Sequence, residues 1–482
     1  MINESYEFST KRSCVQDSQI GTKLLENNII TEAQLEEALR RQKAKGGRLG
    51  DNLIDLKYLT SDQLDNFMHK FPSAPRTIAD TALNPSFLAD LILKHIHFLG
   101  EFRLADVAER IKLPISVIDQ VLEILQREKM IEVKGASEYT RTSYTFSITG
   151  LGQKRASELL DICRYVGPAP VTLDEYRKQV SFQTVKNVAL NHQSLVKAFS
   201  NLVINPHLLN RLGPAVNSGR AIFMYGPPGN GKTSIAENIG NVLPQTIYIP
   251  YSLIVEGEII NIFDPVNHVP VSSETEDNER DMRWQLIKRP VVMTGGELTL
   301  KTLDLEFNSI SKFYMAPLQM KANNGLFIID DFGRQQIEPK MLLNRWIVPL
   351  ERRVDFMTLH TGMKFEIPFD QLVIFCTNLQ PKDLVDEAFL RRIRYKINIS
   401  YPTEIEFEAI FRKICDDKGV SFDKKVFDYL MERYRKHGIK PCACHPRDLI
   451  EQIVDHSRYY HQAPQMTFEM ITEAWDSYFV EL

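Results

Sequence analysis

Cysteine is scarce, at six residues in 482, and the six are scattered, too few for a disulfide framework. Nowhere do about 18 uncharged apolar residues run together, as a transmembrane helix requires. The first 19 residues are polar, with Lys11 and Arg12 but no apolar stretch behind them, so no signal peptide is read there. Neither sign of charge dominates. With 58 basic against 62 acidic residues the balance is −4, which argues against coating nucleic acid or anionic membrane by bulk charge but leaves room for a local basic channel. These absences suggest a soluble protein of a reducing cytoplasm, without membrane insertion. What is present is an ordinary globular composition, 43% hydrophobic and 25% charged, at a length that suggests about three domains.

The N-terminal region holds an internal repeat. At an offset of 29 residues, Gly21, Leu24, Thr31, Gln34 and Leu35 recur as Gly50, Leu53, Thr60, Gln63 and Leu64, and Ile20/Leu49, Leu25/Ile54, Ile30/Leu59, Glu26/Asp55 and Glu36/Asp65 fill the frame. Each copy reads as a short apolar helix, a turn, and a Thr-x-x-Gln-Leu start to a second helix, with Thr31 and Thr60 as N-caps. Stacked helix pairs would bury Leu24, Leu35, Leu53 and Leu64. Pro72, Pro75 and Pro85 then punctuate a linker.

Residues 87–162 read helix, helix, helix, hairpin, helix. The third helix starts near Pro114, with Ile115, Ile118, Leu122 and Leu125 on one face, and the hairpin runs from Met130–Val133 to Tyr144–Ile148. That order resembles a winged helix. A DNA-reading third helix needs exposed Arg, Lys, Asn or Gln, yet Ser116–Arg127 carries Asp119 and Glu123 beside Gln120 and Gln126, with Arg127 alone basic. Residues 80–165 hold eleven basic and twelve acidic residues. Protein contacts suit this balance better than DNA.

Gly226-Pro227-Pro228-Gly229-Asn230-Gly231-Lys232-Thr233 is a full G-x-x-x-x-G-K-T loop between an apolar strand run, Ala221–Tyr225, and a helical pattern, Lys232–Leu243. In such a loop backbone N–H groups face phosphates at a helix N-terminus, the lysine reaches the β- and γ-phosphates, and the threonine hydroxyl coordinates Mg²⁺. About a hundred residues on, Leu326–Ile329 is an apolar run ending in Asp330 and Asp331, where a parallel strand presents ligands. Asp330 suits Mg²⁺ binding. Asp331 holds the place where a glutamate usually polarises the attacking water; it is one methylene shorter, so slow hydrolysis is expected. A third run, Leu372–Thr377, ends in Asn378.

P-loop, Asp-Asp strand and Thr-Asn strand in this order resemble the AAA+ ATPases over about residues 180–482, with Asn378 as sensor 1. The resemblance implies ATP and Mg²⁺ as cofactors and a multi-domain α/β fold: an AAA+ P-loop core with a helical lid, preceded by a small helical repeat domain and a winged helix. It further implies that Arg391 and Arg392, in Asp386–Ile393, are arginine fingers reaching the γ-phosphate of a neighbouring subunit, although the bare residues also suit a surface basic cluster. Arg447, in Cys444–Leu449, would be sensor 2. Cys442, Cys444 and His445 lack the second distant pair that a zinc site wants. Arg353–Ile367 reads as a strand, a Gly362 turn and a strand, like a pre-sensor 1 hairpin. A long stretch, about 251–320, is placed between the second and third core strands and is expected to carry specificity.

Residues 17–75 resemble the N-terminal domain of type II secretion and type IV pilus assembly ATPases, some of which bind cyclic di-GMP through paired Arg-Leu-Gly motifs. The second copy keeps Arg48-Leu49-Gly50, while the first reads Gln19-Ile20-Gly21, with Asn28 and Lys57 where a glycine is common. Nucleotide binding and plain protein docking both remain open. The expected layout is a disordered tail over 1–16, the helical domain over 17–75, a winged-helix-like domain over 80–165, the AAA+ core over 166–400 and the lid over 401–482. The expected activity is ATP hydrolysis in a homo-oligomeric ring, a hexamer, moving a protein partner in a pilus- or secretion-type system. A DNA-acting loader or switch, and an ATP-gated scaffold with little turnover, are the alternatives.

Overall fold

A computed structural model describes residues 21, 24–25, 29–60, 71–136, 144–188, 190–243, 246–271, 280–384 and 390–479. The chain forms two compact units, Met1–Ala74 with Asp277–Asp281, and Pro75–Glu276 with Met282–Leu482.

In the first unit, α1 (Glu32–Lys45) and α2 (Leu49–Asp55) pack around Leu24, Ile30, Ala38, Leu49 and Leu53. The Thr-x-x-Gln spacing closes a capping box: Thr31 Oγ1 accepts from the Gln34 N–H at 3.4 Å, and Gln34 Oε1 accepts from the Thr31 N–H at 2.8 Å. Leu35 is half-buried against this cluster. The second helix expected after Thr60, with Leu64, lies outside the described residues, as do residues 1–16.

The second unit begins with α3 (Pro85–Ile96), β1 (Glu101–Phe102), α4 (Leu104–Ile111), α5 (Ile115–Arg127), β2 (Ile131–Ala136), β3 (Tyr144–Ile148) and α6 (Gly150–Ile162). The three strands form an antiparallel sheet in the order β1-β3-β2. Ile118, Leu122 and Leu125 of α5 are fully buried, whereas Ile115 is 43% exposed; Val117 and Val121 complete the buried face in its place. On the other side of α5, Ser116 Oγ donates to the Arg76 carbonyl at 3.3 Å and Gln120 Oε1 accepts from the Ile78 N–H at 3.4 Å. The preceding segment therefore engages two polar side chains that a DNA-reading helix would leave free.

There follow β4 (Val171–Thr172), α7 (Leu173–Phe182), α8 (His192–Ala198), α9 (Pro206–Asn217), β5 (Ile222–Tyr225), α10 (Lys232–Val242), β6 (Thr246–Pro250), β7 (Ser252–Val255), β8 (Glu258–Asn261), β9 (Trp284–Lys288), β10 (Val291–Thr294), β11 (Glu306–Asn308), β12 (Phe313–Met315) and β13 (Leu326–Ile329). Next come α11 (Pro339–Arg352), the hairpin β14 (Val354–Thr358) and β15 (Lys364–Pro368), β16 (Leu372–Thr377) and β17 (Tyr395–Asn398). The core sheet is parallel throughout, in the order β10-β13-β16-β5-β17. Alternate residues face two cores. Ile222, Met224, Ile328 and Ile374 pack with Leu212 and Ile239, while Phe223, Phe327 and Phe375 pack with Leu342 and Trp346. Burial on both faces explains why these strands read as unbroken apolar runs.

The long stretch lies elsewhere than expected. The second core strand in chain order is β10, so most of the stretch precedes it. Ile247 and Ile249 of β6 face inward, but β6 pairs antiparallel with β9 outside the core sheet. A second sheet, β11-β12-β8-β7-β4, packs with α7 and the β14–β15 hairpin around Tyr176, Leu253, Ile260, Tyr314 and Ile367. Arg283, 1% exposed, ties this layer together: it donates to the carbonyls of Thr81 at 3.2 Å and Pro170 at 3.3 Å, and to Glu175 Oε1 at 3.1 Å.

The chain closes with four helices, α12 (Glu404–Lys418), α13 (Lys424–His437), α14 (His445–Tyr459) and α15 (Phe468–Tyr478), around Phe407, Phe411, Phe427, Leu449 and Trp475.

Candidate nucleotide site

β5, β13 and β16 are neighbours in the sheet, and their registers set Ile329 beside Phe375 and Thr377 beside Tyr225. β16 and β5 therefore end level and β13 ends two residues earlier, and the residues that follow the three strands meet although they lie far apart in sequence. At Gly226 the chain leaves β5 with φ 147°, and a Cβ there would stand 2.0 Å from the Ile399 carbonyl. Only glycine fits that turn.

Lys232 opens α10 and is 7% exposed. Its ammonium donates to the carbonyls of Gly226 at 3.1 Å and Pro227 at 2.9 Å and to Asn378 Oδ1 at 2.6 Å. Burial lowers its pKa, while Asp330 and Asp331 pull the other way. Asn378 also donates its amide to Asp331 Oδ1 at 3.0 Å, so one side chain bridges the lysine and the second acid. Thr233 Oγ1 donates to Asp330 Oδ2 at 2.9 Å. A hydroxyl and a carboxylate this close supply the hard oxygens that Mg²⁺ takes. Asp331 is exposed and has φ 46°, a left-handed conformation that Asp and Asn tolerate better than longer side chains.

These groups line one cleft of about 630 Å³. Val203, Ile204, Ile410 and Ile414 add an apolar wall, and such a pairing of apolar wall and cation-bearing loop suits a ligand with a ring at one end and phosphates at the other. The start of α14 leans on the P-loop: the Cys444 N–H donates to the Gly229 carbonyl at 2.8 Å and the Ala443 N–H to Asn230 Oδ1 at 3.1 Å. That contact carries Arg447 to the cleft, where its Nε donates to Asp448 Oδ1 at 3.2 Å. Beside it His445 is buried, which lowers its pKa to about 4, and no cluster of three metal-ligating side chains occurs among the described residues.

Arg391 is exposed, and Arg392 donates from Nε to Glu351 Oε1 at 2.5 Å within its own chain. Residues 386–389 of the Asp386–Ile393 segment lie outside the described residues. Sequence reasoning missed the apolar wall and Arg334, which also lines the cleft. The wall carries no motif. Arg334 had one signal, its place three residues after Asp331.

Five parallel strands between helical layers, with the Gly226–Thr233 loop joining β5 to α10, give the core a P-loop α/β fold. Residues 403–477 match a family described as a domain of unknown function, DUF8689. Solved structures with partial likeness include NtrX from Brucella abortus, at 12% identity over 60% of this chain and 58% of that chain with a TM-score of 0.38. The same protein in complex with ADP gives 13%, 65%, 59% and 0.36. The RuvB Holliday junction branch migration motor of Thermotoga maritima gives 14%, 62%, 74% and 0.33. The chain thus spans less than two thirds of NtrX, and at these scores the likenesses assign neither substrate nor partner.

Proposed function

We propose that the chain is an ATPase that binds Mg·ATP in this cleft and hydrolyses it in a homo-oligomeric ring, a hexamer, to move or remodel a protein partner. The observation that carries the proposal is the joining of the P-loop lysine and the second strand-end acid by Asn378, beside the Thr233–Asp330 pair.

In the proposed reaction the β- and γ-phosphates take the place of the two loop carbonyls around Lys232. Thr233 and Asp330 would hold Mg²⁺, which supplies charge neutralisation at the β- and γ-oxygens. Asp331 orients a water in line with the γ-phosphorus and takes a proton from it. The new oxygen–phosphorus bond forms as the bond to the β–γ bridging oxygen breaks, releasing ADP and phosphate. Asn378 holds Asp331 in place, and Arg447 contacts phosphate from the helical lid. Arg391 is assigned to a neighbouring subunit's nucleotide. Arg392 has the same assignment by resemblance, in competition with Glu351.

Residues 80–165 are read as a winged helix used for protein contacts; the hydrogen bonds that Ser116 donates to Arg76 and Gln120 accepts from Ile78 favour that over a DNA-acting loader. By resemblance, residues 17–75 dock the ring to a pilus- or secretion-type system, with cyclic di-GMP at Arg48-Leu49-Gly50 as an added ligand. A cytoplasmic location is part of this proposal; among the described residues no helix is long and apolar enough to cross a membrane.

Calorimetric titration with ATP in Mg²⁺ tests the binding step. The expected result is one site per chain, lost in Lys232→Ala. Absent binding, or binding unchanged in that variant, contradicts the proposal.

A further inference from the structure

Four cationic side chains line the cleft: Lys232, Arg334, Lys413 and Arg447. Three are already engaged. Lys232 has two carbonyls and Asn378, Lys413 Nζ donates to the Ser200 carbonyl at 2.8 Å, and Arg447 pairs with Asp448 at 3.2 Å. The Arg334 guanidinium is exposed and has no hydrogen bond or ion pair among the described residues.

Its position is fixed without its own side chain. The chain turns sharply after β13, with Asp331 at φ 46° and Gly333 at φ 103°. A Cβ on Gly333 would stand 2.6 Å from Leu384 Cδ2, so the turn is pressed against its neighbour. Gln335 braces it from inside, donating from Nε2 to the carbonyls of Asp330 at 2.9 Å and Asp331 at 3.1 Å and accepting from the Gly333 N–H at 2.7 Å. The Phe332 N–H donates to the Cys376 carbonyl at 2.7 Å, and Thr377 Oγ1 donates to the Phe332 carbonyl at 2.7 Å. A turn held this way delivers residue 334 to the cleft beside Asp331, whose carbonyl accepts from the Arg334 N–H at 2.9 Å.

Electrostatics assigns it a task. The terminal phosphate of ATP must sit beside two carboxylates, Asp330 and Asp331, and Arg334 is the cleft cation that reaches this end on the turn that follows them, with no side-chain partner of its own among the described residues. A guanidinium presents a planar fork that matches phosphate oxygens and stays charged at all relevant pH. We propose that Arg334 binds the γ-phosphate of the nucleotide in its own subunit's cleft, so that this chain distinguishes ATP from ADP partly through a residue on the turn after the Asp-Asp pair. The inference rests on the ATPase reading above and adds a phosphate contact to it.

The test is competition binding of ADP and of a non-hydrolysable ATP analogue, both with Mg²⁺, to the full chain and to Arg334→Ala, Arg334→Lys and Lys232→Ala. Loss of a charged hydrogen-bonding contact should weaken the analogue by about ten- to a hundred-fold in Arg334→Ala. ADP binding should stay within about two-fold, which also reports a folded cleft, and Arg334→Lys should recover part of the loss. An unchanged analogue-to-ADP ratio in Arg334→Ala overturns the proposal, even if turnover falls, because the arginine would then act elsewhere. If Lys232→Ala loses both ligands while Arg334→Ala loses neither, only the Arg334 proposal fails. If the unmodified chain binds neither ligand, the ATPase reading fails and the Arg334 proposal fails with it.

Discussion

Lys232 and Asn378, 146 residues apart, meet through a 2.6 Å hydrogen bond from the lysine ammonium to the amide oxygen, and the same amide donates to Asp331 at 3.0 Å. Asn378 is thus the hinge of the polar network. Truncation to Ala removes an acceptor from a buried lysine and the orienting donor from the acid. Asn378→Ala should lower turnover by about a hundred-fold while changing ATP affinity by less than about ten-fold. Steady-state phosphate release together with equilibrium binding checks this; equal losses in both would make Asn378 a binding residue alone.

Asp331 combines a functional place with a left-handed backbone, φ 46°. Asp331→Asn keeps the side-chain length and the tolerance of that conformation, so it should bind ATP normally with turnover reduced at least about a hundred-fold. Asp331→Glu restores the acid usual at that position but adds a side chain that suits the conformation less. It should lower the unfolding free energy by about 1 kcal/mol, measured by urea denaturation. A Glu variant as stable as the parent contradicts the backbone argument.

The strand-end chemistry was legible in the sequence because central parallel strands are buried on both faces and their apolar runs stop where the site begins. Leu326–Ile329 before Asp330 and Leu372–Thr377 before Asn378 show this directly. The Thr31 capping box and the Gly362 turn were legible for local reasons, a cap and a hairpin encoded within a few residues. Strand partners were not. Thr246–Pro250 and Val291–Thr294 look alike in sequence, and distant pairing alone puts the second in the core sheet and the first in a separate ribbon with β9. The same limit hid the apolar wall of the cleft, where Val203 and Ile414 meet only through the tertiary fold.

An arginine finger acts across a subunit boundary, which gives the proposed oligomer a direct check. Arg391→Ala and Lys232→Ala should each be inactive alone. Mixed, they should regain measurable turnover, because some sites pair an intact P-loop with an intact Arg391 from the neighbour. Arg392→Ala should also lower turnover, and it would in addition release Glu351, to which Arg392 is bound. A mixture as inactive as its parts rules out the shared site.

His445 sets a pH dependence. Burial lowers its pKa from 6.5 to about 4, with Asp448 opposing the shift. Its Nδ1 accepts from the Tyr434 hydroxyl at 2.9 Å and the Cys442 N–H at 3.2 Å, and the rings of Tyr478 and Phe479 pack against it. Between these pH values the unfolded chain binds a proton that the folded chain does not. The contribution is therefore complete above pH 6.5 and is lost as pH falls toward 4, by on the order of 3 kcal/mol. Burial shifts His95 and His268 the same way. Denaturation at pH 7 and pH 5 should show lower stability at pH 5, with a shallower change in His445→Gln; an equal change in that variant contradicts the assignment.

ATP hydrolysis in the cleft formed by the P-loop, the Asp-Asp turn and Asn378 is best tested by steady-state phosphate release from the purified chain, with Mg²⁺ and saturating ATP. The expected result is Mg²⁺-dependent turnover that Lys232→Ala abolishes. Turnover in the unmodified chain no higher than in Lys232→Ala, with ATP still bound, would contradict it and leave an ATP-gated scaffold in its place.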